Sequence, residues 1–148
     1  MTPPFLGLEI AVLSSDLDVV ELRVAAWNGA FAGLLRLYVG HGYLDELADQ
    51  IAGFPTGLGD ERSFALTDAI QLRFRCVDAV GHAAVDVTIR DEPRSSPPAG
   101  NQAPPITQTV FLTLRTEAAA IDEFVRELRI AERRRDGAAR LRGRESER

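Results

Sequence analysis

The sequence predicts an α+β domain in which a mainly antiparallel sheet of six to seven strands carries two helices packed on one face. The strongest signal is the alternation of apolar and polar residues along three stretches, 70–77, 83–90 and 106–115. A period of two places successive side chains on opposite faces of a strand, so each stretch has one dry and one solvated face. Strands of this kind are typical of antiparallel sheets with one face open to water. Two further segments have apolar residues at helical spacing and supply the two helices.

The N-terminal part of the chain predicts three strands. The segments 5–13 and 18–27 alternate, and Asn28-Gly29 follows the second of them directly. Asn-Gly between two alternating runs is a strong hairpin signal, because both residues tolerate the positive φ of a type I′ turn. The third strand is therefore expected at 30–39, antiparallel to the second.

The period changes after this hairpin. Apolar residues recur at helical spacing over 44–51, and Gly53 and Pro55 provide the signal that ends the helix. A Gly-rich loop over 56–62 then leads into a short fourth strand at 63–67.

The remaining strands are expected at 69–77, 82–90 and 106–115. The Pro-rich segment 92–105, between the last two, is expected to be an extended or flexible loop. A loop of this length is unusual in a compact domain and is often functional or disordered.

The chain continues into a second helix and a polar tail. Thr116 is a plausible N-cap, and one apolar face recurs over 117–134. Residues 136–148 are rich in Arg and have Leu141 as their only large apolar side chain, so this tail is expected to be disordered. A single domain over 1–135 fits a chain of 148 residues.

Composition excludes several classes of function. The net charge is −5 and the pI is about 5.1, which argues against nucleic acid as the partner because phosphate contacts need a positive face. Cys76 is the only cysteine, so neither an intrachain disulfide nor a zinc-binding cysteine cluster can form. No segment approaches the ~20 apolar residues that a membrane helix needs, and Glu9 interrupts the N-terminal apolar run. We expect a cytoplasmic protein without a membrane partner.

No motif specifies a catalytic, metal or cofactor site. His41 and His82 are the only histidines, and catalysis would need one of them beside a carboxylate or a nucleophile. Both fall at predicted element ends, where a polar residue needs no catalytic explanation. Cys76 falls on the dry side of its strand and is expected to be a small buried hydrophobe. The acids at 45–49 lack the spacing of a cation loop, and Gly57–Gly59 lacks the residues of a phosphate loop.

The candidate partner-binding residues lie at solvated positions of predicted strands. Arg73, Arg75 and Arg90 would form an Arg-bearing face, and Arg binds carboxylates bidentately, so this face suits an acidic partner. The structural alternative is cross-strand charge pairing on a solvated sheet. Trp27 and Tyr38 also occupy solvated positions, and exposed aromatic side chains are enriched at interface hot spots.

The order of the segments resembles a known family. The hairpin is followed by GYLDELADQIAGF, ERSFALTD, AIQLRFRC, GHAAVDVTIR and TVFLTLRTEAAAIDEFVRELR. Over residues 6–130 this order is similar in outline to small bacterial proteins, among them immunity proteins of the WapI type, which neutralise a cognate secreted toxin. The resemblance implies a non-enzymatic inhibitor that binds a protein, and it transfers no catalytic residue. The loop 92–105 and the Arg-rich tail fall outside the pattern.

Three functions therefore stay open. The first is a non-enzymatic protein-binding domain of the immunity type, which the acidic net charge favours because acidic inhibitors can be steered to basic toxins. The second is a structural or regulatory homodimer that pairs through sheet edges or the solvated face. The third is an enzyme that uses His41 or His82, for which a histidine must lie in a cleft within hydrogen-bond reach of a carboxylate or nucleophile. We expect neither histidine to meet that condition.

Overall fold

The computed structural model describes residues 5–91, 100 and 106–145. From the first strand to the second helix, the elements follow one another in the predicted order, each bound lying within about two residues of its prediction, and one further strand follows that was not predicted. The elements are β1 (Gly7–Ser15), β2 (Val20–Trp27), β3 (Ala32–Val39), α1 (Tyr43–Ile51), β4 (Glu61–Leu66), β5 (Ile70–Cys76), β6 (His82–Asp91), β7 (Gln108–Glu117), α2 (Ala118–Arg134) and β8 (Ala138–Arg142). The α+β class is confirmed.

The strands form two sheets, so the prediction of a single six- to seven-stranded sheet is wrong. The first sheet has the order β3-β2-β1-β8 and the second has the order β4-β5-β6-β7. Every neighbouring pair is antiparallel. The physical reason lies between β3 and β4, where helix α1 and a loop replace a hairpin turn, so no ladder joins the two halves. Alternation reveals a strand and its faces but not the sheet that the strand joins.

Strand β8 lies in the tail that was expected to be disordered, which corrects that prediction for 138–142. It pairs antiparallel with β1, and the side chains of Ala139 and Leu141 are fully buried. The backbone N–H of Arg140 donates to Oε1 of Glu127 at 3.0 Å, so helix α2 holds the outer edge of this strand. Two alternating apolar residues suffice here because β1 supplies the ladder partner.

Both sheets and both helices contribute to one apolar core. The dry faces of β5 and β6 are buried as predicted, with Phe74 and Val85 fully inaccessible. Leu47 of α1 and Phe124 of α2 belong to the same cluster, so the helices pack on the dry faces of the sheets. The opposite, outer face of each sheet lies outside this core.

The β2–β3 hairpin is confirmed, but its predicted two-residue type I′ turn is wrong. Residues 28–31 separate the strands, and Asn28 does not have the positive φ that a type I′ turn requires, whereas Gly29 does (φ 97°). Oδ1 of Asn28 accepts hydrogen bonds from the backbone N–H groups of Ala30 and Phe31, at 2.9 and 2.8 Å. This side-chain turn competes with the tighter turn and explains the longer loop.

The predicted Pro-rich loop 92–105 lies outside the described residues except for Gly100. Among the residues that are described, no helix has the length and apolar character needed to cross a membrane.

Candidate functional site

The five candidate partner-binding residues are divided between the two sheets. Arg73, Arg75 and Arg90 lie on the outer face of the second sheet, on β5 and β6. Trp27 and Tyr38 lie on β2 and β3 of the first sheet, at opposite ends of the hairpin. Tyr38 is 56% exposed and Trp27 is half-buried. The five residues therefore do not form one surface.

Arg73 and Arg75 are engaged by carboxylates within the second sheet, and Arg90 is not without a partner either. Arg75 donates from Nε and Nη2 to the two carboxylate oxygens of Asp86, at 2.9 and 3.0 Å. Arg73 donates from Nε to Oε1 of Glu61 at 2.6 Å, and its Nη1 lies 3.9 Å from Oδ2 of Asp86. The Oγ1 hydroxyl of Thr113 on β7 donates to the same carboxylate at 2.8 Å. We call Arg73, Arg75 and Asp86 the Arg–Asp ridge, and it is the cross-strand pairing that the sequence left as an alternative.

Asp86 is the buried centre of the ridge. It was expected on a solvated face, yet its exposed fraction is 8%, because the arginine side chains of the neighbouring strand lie over it. Burial raises the pKa of the Asp86 carboxyl, but hydrogen bonds from Arg75 and Thr113 and the positive charges of Arg75 and Arg73 outweigh burial and lower it overall. Asp86 is therefore an ionised residue that holds the ridge in one conformation.

A cleft of about 540 Å³ lies on one side of the ridge, where β6 begins and β7 ends. One row of the sheet runs through it: Arg75 pairs with Ala84, Ala84 with Arg115, and Arg115 with Arg144 through an isolated bridge. Strands lie about 4.8 Å apart, so Arg75 and Arg115 flank Ala84 at about 10 Å from each other. Ala84 is 7% exposed and forms part of the floor of the cleft between the two arginines. We call this space, lined by Arg75, His82, Ala84, Arg115 and Arg144, the Arg cleft.

Arg115 and Arg144 differ from the arginines of the ridge. Both are exposed, and neither forms an ion pair with a carboxylate of the described residues. Glu145, which follows Arg144 in the sequence, and Asp78 are the acidic residues that also line the cleft. Neither arginine was predicted to be a binding residue. Arg115 occupies a polar position of its predicted strand, which already placed it on the solvated face, and Arg144 was assigned to the tail that was expected to be disordered.

His82 forms a close pair with an acidic residue in the same cleft. Its Nδ1 lies 2.5 Å from Oδ2 of Asp78, four residues earlier across the β5–β6 turn. The hydrogen bond with His82 is the main reason that the pKa of Asp78 is lowered. The expectation that neither histidine would lie beside a carboxylate in a cleft is therefore wrong for His82. His41 differs, since its Nε2 bonds to the backbone carbonyl of Asp16 at 2.6 Å.

Cys76 and the acidic residues were the other candidates for chemistry in the sequence. Cys76 is buried on the dry side of β5, as predicted, and its thiol donates to the backbone carbonyl of Asp78 at 3.1 Å. Across residues 5–91, 100 and 106–145, no three His, Cys, Asp or Glu side chains converge as metal ligands would.

A second hollow of about 470 Å³ lies on the other side of the ridge. Its lining includes one row of the sheet, in which Ala65 pairs with Gln71, Gln71 with Thr88, and Thr88 with Phe111. Phe111 is 62% exposed. In the sequence it stood out only as an aromatic residue in the polar register of its strand. We call this space the Phe111 hollow.

Comparison with protein-family models, with curated proteins and with solved structures finds no match to this chain. The similarity to WapI-type immunity proteins therefore stays a prediction. Function has to be argued from the geometry of the site.

Proposed function

We propose that the protein is a non-enzymatic binding protein that docks an acidic segment of a protein partner in the Arg cleft. One observation carries this proposal: Arg115 and Arg144 line the same 540 Å³ cleft, with no carboxylate of the described residues paired to either. Hydrogen bonds between guanidinium and carboxylate are charge-assisted and often bidentate, which makes an acidic side chain the complementary ligand.

The ridge supports this use of the cleft because it fixes one wall. Asp86 holds the Arg75 guanidinium by two hydrogen bonds, so little side-chain entropy is lost there on binding. Arg75 and Arg115 lie on either side of Ala84 and line the same cleft as Arg144, so one carboxylate in the cleft lies near several guanidinium groups. We therefore assign docking to Arg115 and Arg144 in place of the predicted Arg73 and Arg75. The Arg–Asp ridge holds the adjacent wall of the Arg cleft in place.

The chemistry of the rest of the chain favours a protein partner. A net charge of −5 does not favour nucleic acid, whose binding needs a series of phosphate contacts along an extended positive face. A single acidic side chain needs only the local positive charge of the cleft. An immunity-type inhibitor of a toxin is one protein of this class, and it is the specific form that we propose on the strength of the segment order.

The outer edges of β8 and β4 argue against a homodimer that pairs along either of these two strands. The outer edge of β8 is capped by the hydrogen bond from the Arg140 N–H to Glu127. At the outer edge of β4, the hydroxyl of Tyr43 donates to the carbonyl of Ala65 at 3.2 Å. A second copy that paired along either edge would have to break these contacts.

The His82–Asp78 pair favours one second candidate, a hydrolase. A carboxylate bonded to Nδ1 orients an imidazole for general-base catalysis. The hydroxyls of Thr113 and Thr116 in the cleft donate elsewhere, to Asp86 and to the Arg142 carbonyl, so the pair would have to activate water. A hydrolase predicts that His82→Gln abolishes hydrolysis of p-nitrophenyl acetate and p-nitrophenyl phosphate. The binding proposal predicts the same background rate for the wild type and this variant.

The proposal is tested by NMR titration with a hexaglutamate peptide and, as a control, a hexalysine peptide. We expect hexaglutamate alone to shift the backbone amides of Ala84, Arg115 and Arg144. The double variant Arg115→Gln/Arg144→Gln keeps the aliphatic stems and should lose these shifts. The control Arg36→Gln removes an exposed charge from the first sheet and should retain them. Shifts that are spread over both sheets, or that survive in the double variant, would overturn the proposal.

A further inference from the structure

We infer that the partner segment is recognised at two points, an acidic side chain in the Arg cleft and a large apolar side chain in the Phe111 hollow, four residues apart in an extended chain. This inference rests on the proposed function and specifies the sequence that the partner presents. Both spaces lie on the outer face of the same sheet and share the Arg–Asp ridge, since Arg75 lines one and Arg73 and Asp86 line the other.

The Phe111 hollow suits an apolar side chain. Short side chains of Ser63, Ala65 and Thr88 line it, so space remains above the sheet; Gln71, Arg73 and Asp86 line it as well, and the apolar contact is therefore supplied mainly by Phe111. Phe111 is 62% exposed at its side on β7. A partially exposed aromatic side chain next to an open space gains most from a partner group that removes it from water, which is why such residues become interface hot spots.

The spacing follows from the register of β7. Arg115 and Phe111 are four residues apart on one strand, so their side chains lie on the same face. At a rise of about 3.4 Å per residue they are separated by about 14 Å. An extended partner segment has the same rise and the same period of two. It therefore places the acidic residue and the apolar residue four positions apart, whichever way the segment runs.

The Arg–Asp ridge determines which partner side chain fits between the acidic residue and the apolar residue. Thr113 lies midway on β7, and its hydroxyl is already donated to Asp86. The partner residue above this point meets paired charges and no apolar surface. A small or polar side chain is expected there, which separates this pattern from a continuous apolar stripe.

The test is selection of random octapeptides from a display library against the full chain and its variants. We expect enrichment of Asp or Glu together with Leu, Ile, Met or Phe four positions away. Phe111→Ser should keep the acidic preference and lose the apolar one, whereas Leu17→Ser, which alters a side chain 92% exposed in the β1–β2 turn, should keep both. For a selected peptide, replacing the apolar residue with Ala should weaken binding about tenfold to the wild type and not to Phe111→Ser.

The outcomes separate the two levels of the proposal. An acidic preference without an apolar residue at the fourth position, or an apolar preference that persists in Phe111→Ser, overturns the two-point recognition and leaves acidic docking intact. The absence of any acidic preference with the wild-type chain overturns the proposed function and this inference together.

Discussion

The substitution Asp86→Asn removes the charge that holds the ridge. In the wild type, this carboxylate accepts two hydrogen bonds from Arg75 and one from Thr113. The amide of Asn keeps one acceptor oxygen but turns an NH₂ group toward a guanidinium N–H, so at least one charge-assisted hydrogen bond is lost. A hydrogen bond to a charged group contributes about 1.5–3 kcal/mol.

Solvent screens part of this interaction, which reduces the expected loss of stability. The Arg75 side chain is 35% exposed, which screens its interaction, whereas the Asp86 side chain is only 10% exposed. We therefore expect the free energy of unfolding to fall by about 2 kcal/mol. For a chain of this length, that corresponds to a decrease in Tm of about 4–8 °C.

The assay is urea unfolding followed by circular dichroism, with Asp49→Asn as the matched control. Asp49 also bonds to an arginine, Arg129 at 2.8 Å, but its side chain is 70% exposed, so its loss should cost well under about 1 kcal/mol. The coupling between Asp86→Asn and Arg75→Met in a double-mutant cycle should exceed about 1 kcal/mol. An Asp86→Asn variant that is no less stable than Asp49→Asn would refute this account of the ridge.

Three further predictions concern the fold around the site. Leu141→Ala should lower the free energy of unfolding by about 2–5 kcal/mol, because Leu141 is fully buried in β8; a disordered tail would give no change in the same urea experiment. Arg62→Met should cost about 1–3 kcal/mol in thermal unfolding, since its Nη1 donates to the last carbonyls of α1 at 3.0–3.3 Å; an unchanged Tm would contradict that role. Glu9 is buried, and although burial raises the pKa of its carboxyl, hydrogen bonds from Arg140 and Arg23 lower it overall. Its stabilisation should therefore be complete above an unfolded-state pKa of about 4.3 and be lost as the pH falls below it, and a Glu9→Gln variant should show a flatter loss of stability with acid.

Most of the fold follows from local patterns. The strands β5, β6 and β7 could be placed because alternation is a property of consecutive residues, and α2 because its apolar face repeats over about three turns. The division into two sheets could not be predicted, since it depends on which strands pair with one another, and alternation does not specify the partner of a strand. Strand β8 was missed because its two buried residues, Ala139 and Leu141, lie among charged neighbours and acquire a partner only when β1 is in place.

The candidate site illustrates the same limit at the level of side chains. Arg73 and Arg75 were placed on the correct face, but their carboxylate partners depend on the register of β5 with its neighbours. Asp86 was expected to be solvated and is buried, because period-two alternation does not say what lies over a polar residue. The Arg cleft requires the row from Ala84 to Arg144, which joins residues 60 positions apart in the chain, and no local signal carries that information.

The most direct test of the central claim is the affinity of an acidic octapeptide, chosen by selection against the wild type, for three proteins measured by isothermal titration calorimetry. If Arg115 and Arg144 bind the acidic group, the double variant Arg115→Gln/Arg144→Gln should weaken the Kd by about tenfold or more, while the control Arg36→Gln, which removes an exposed charge from the first sheet, should leave it unchanged. Urea unfolding should show that all three are equally stable. Equal affinities for the wild type and the folded double variant would contradict the claim that the Arg cleft is the docking site.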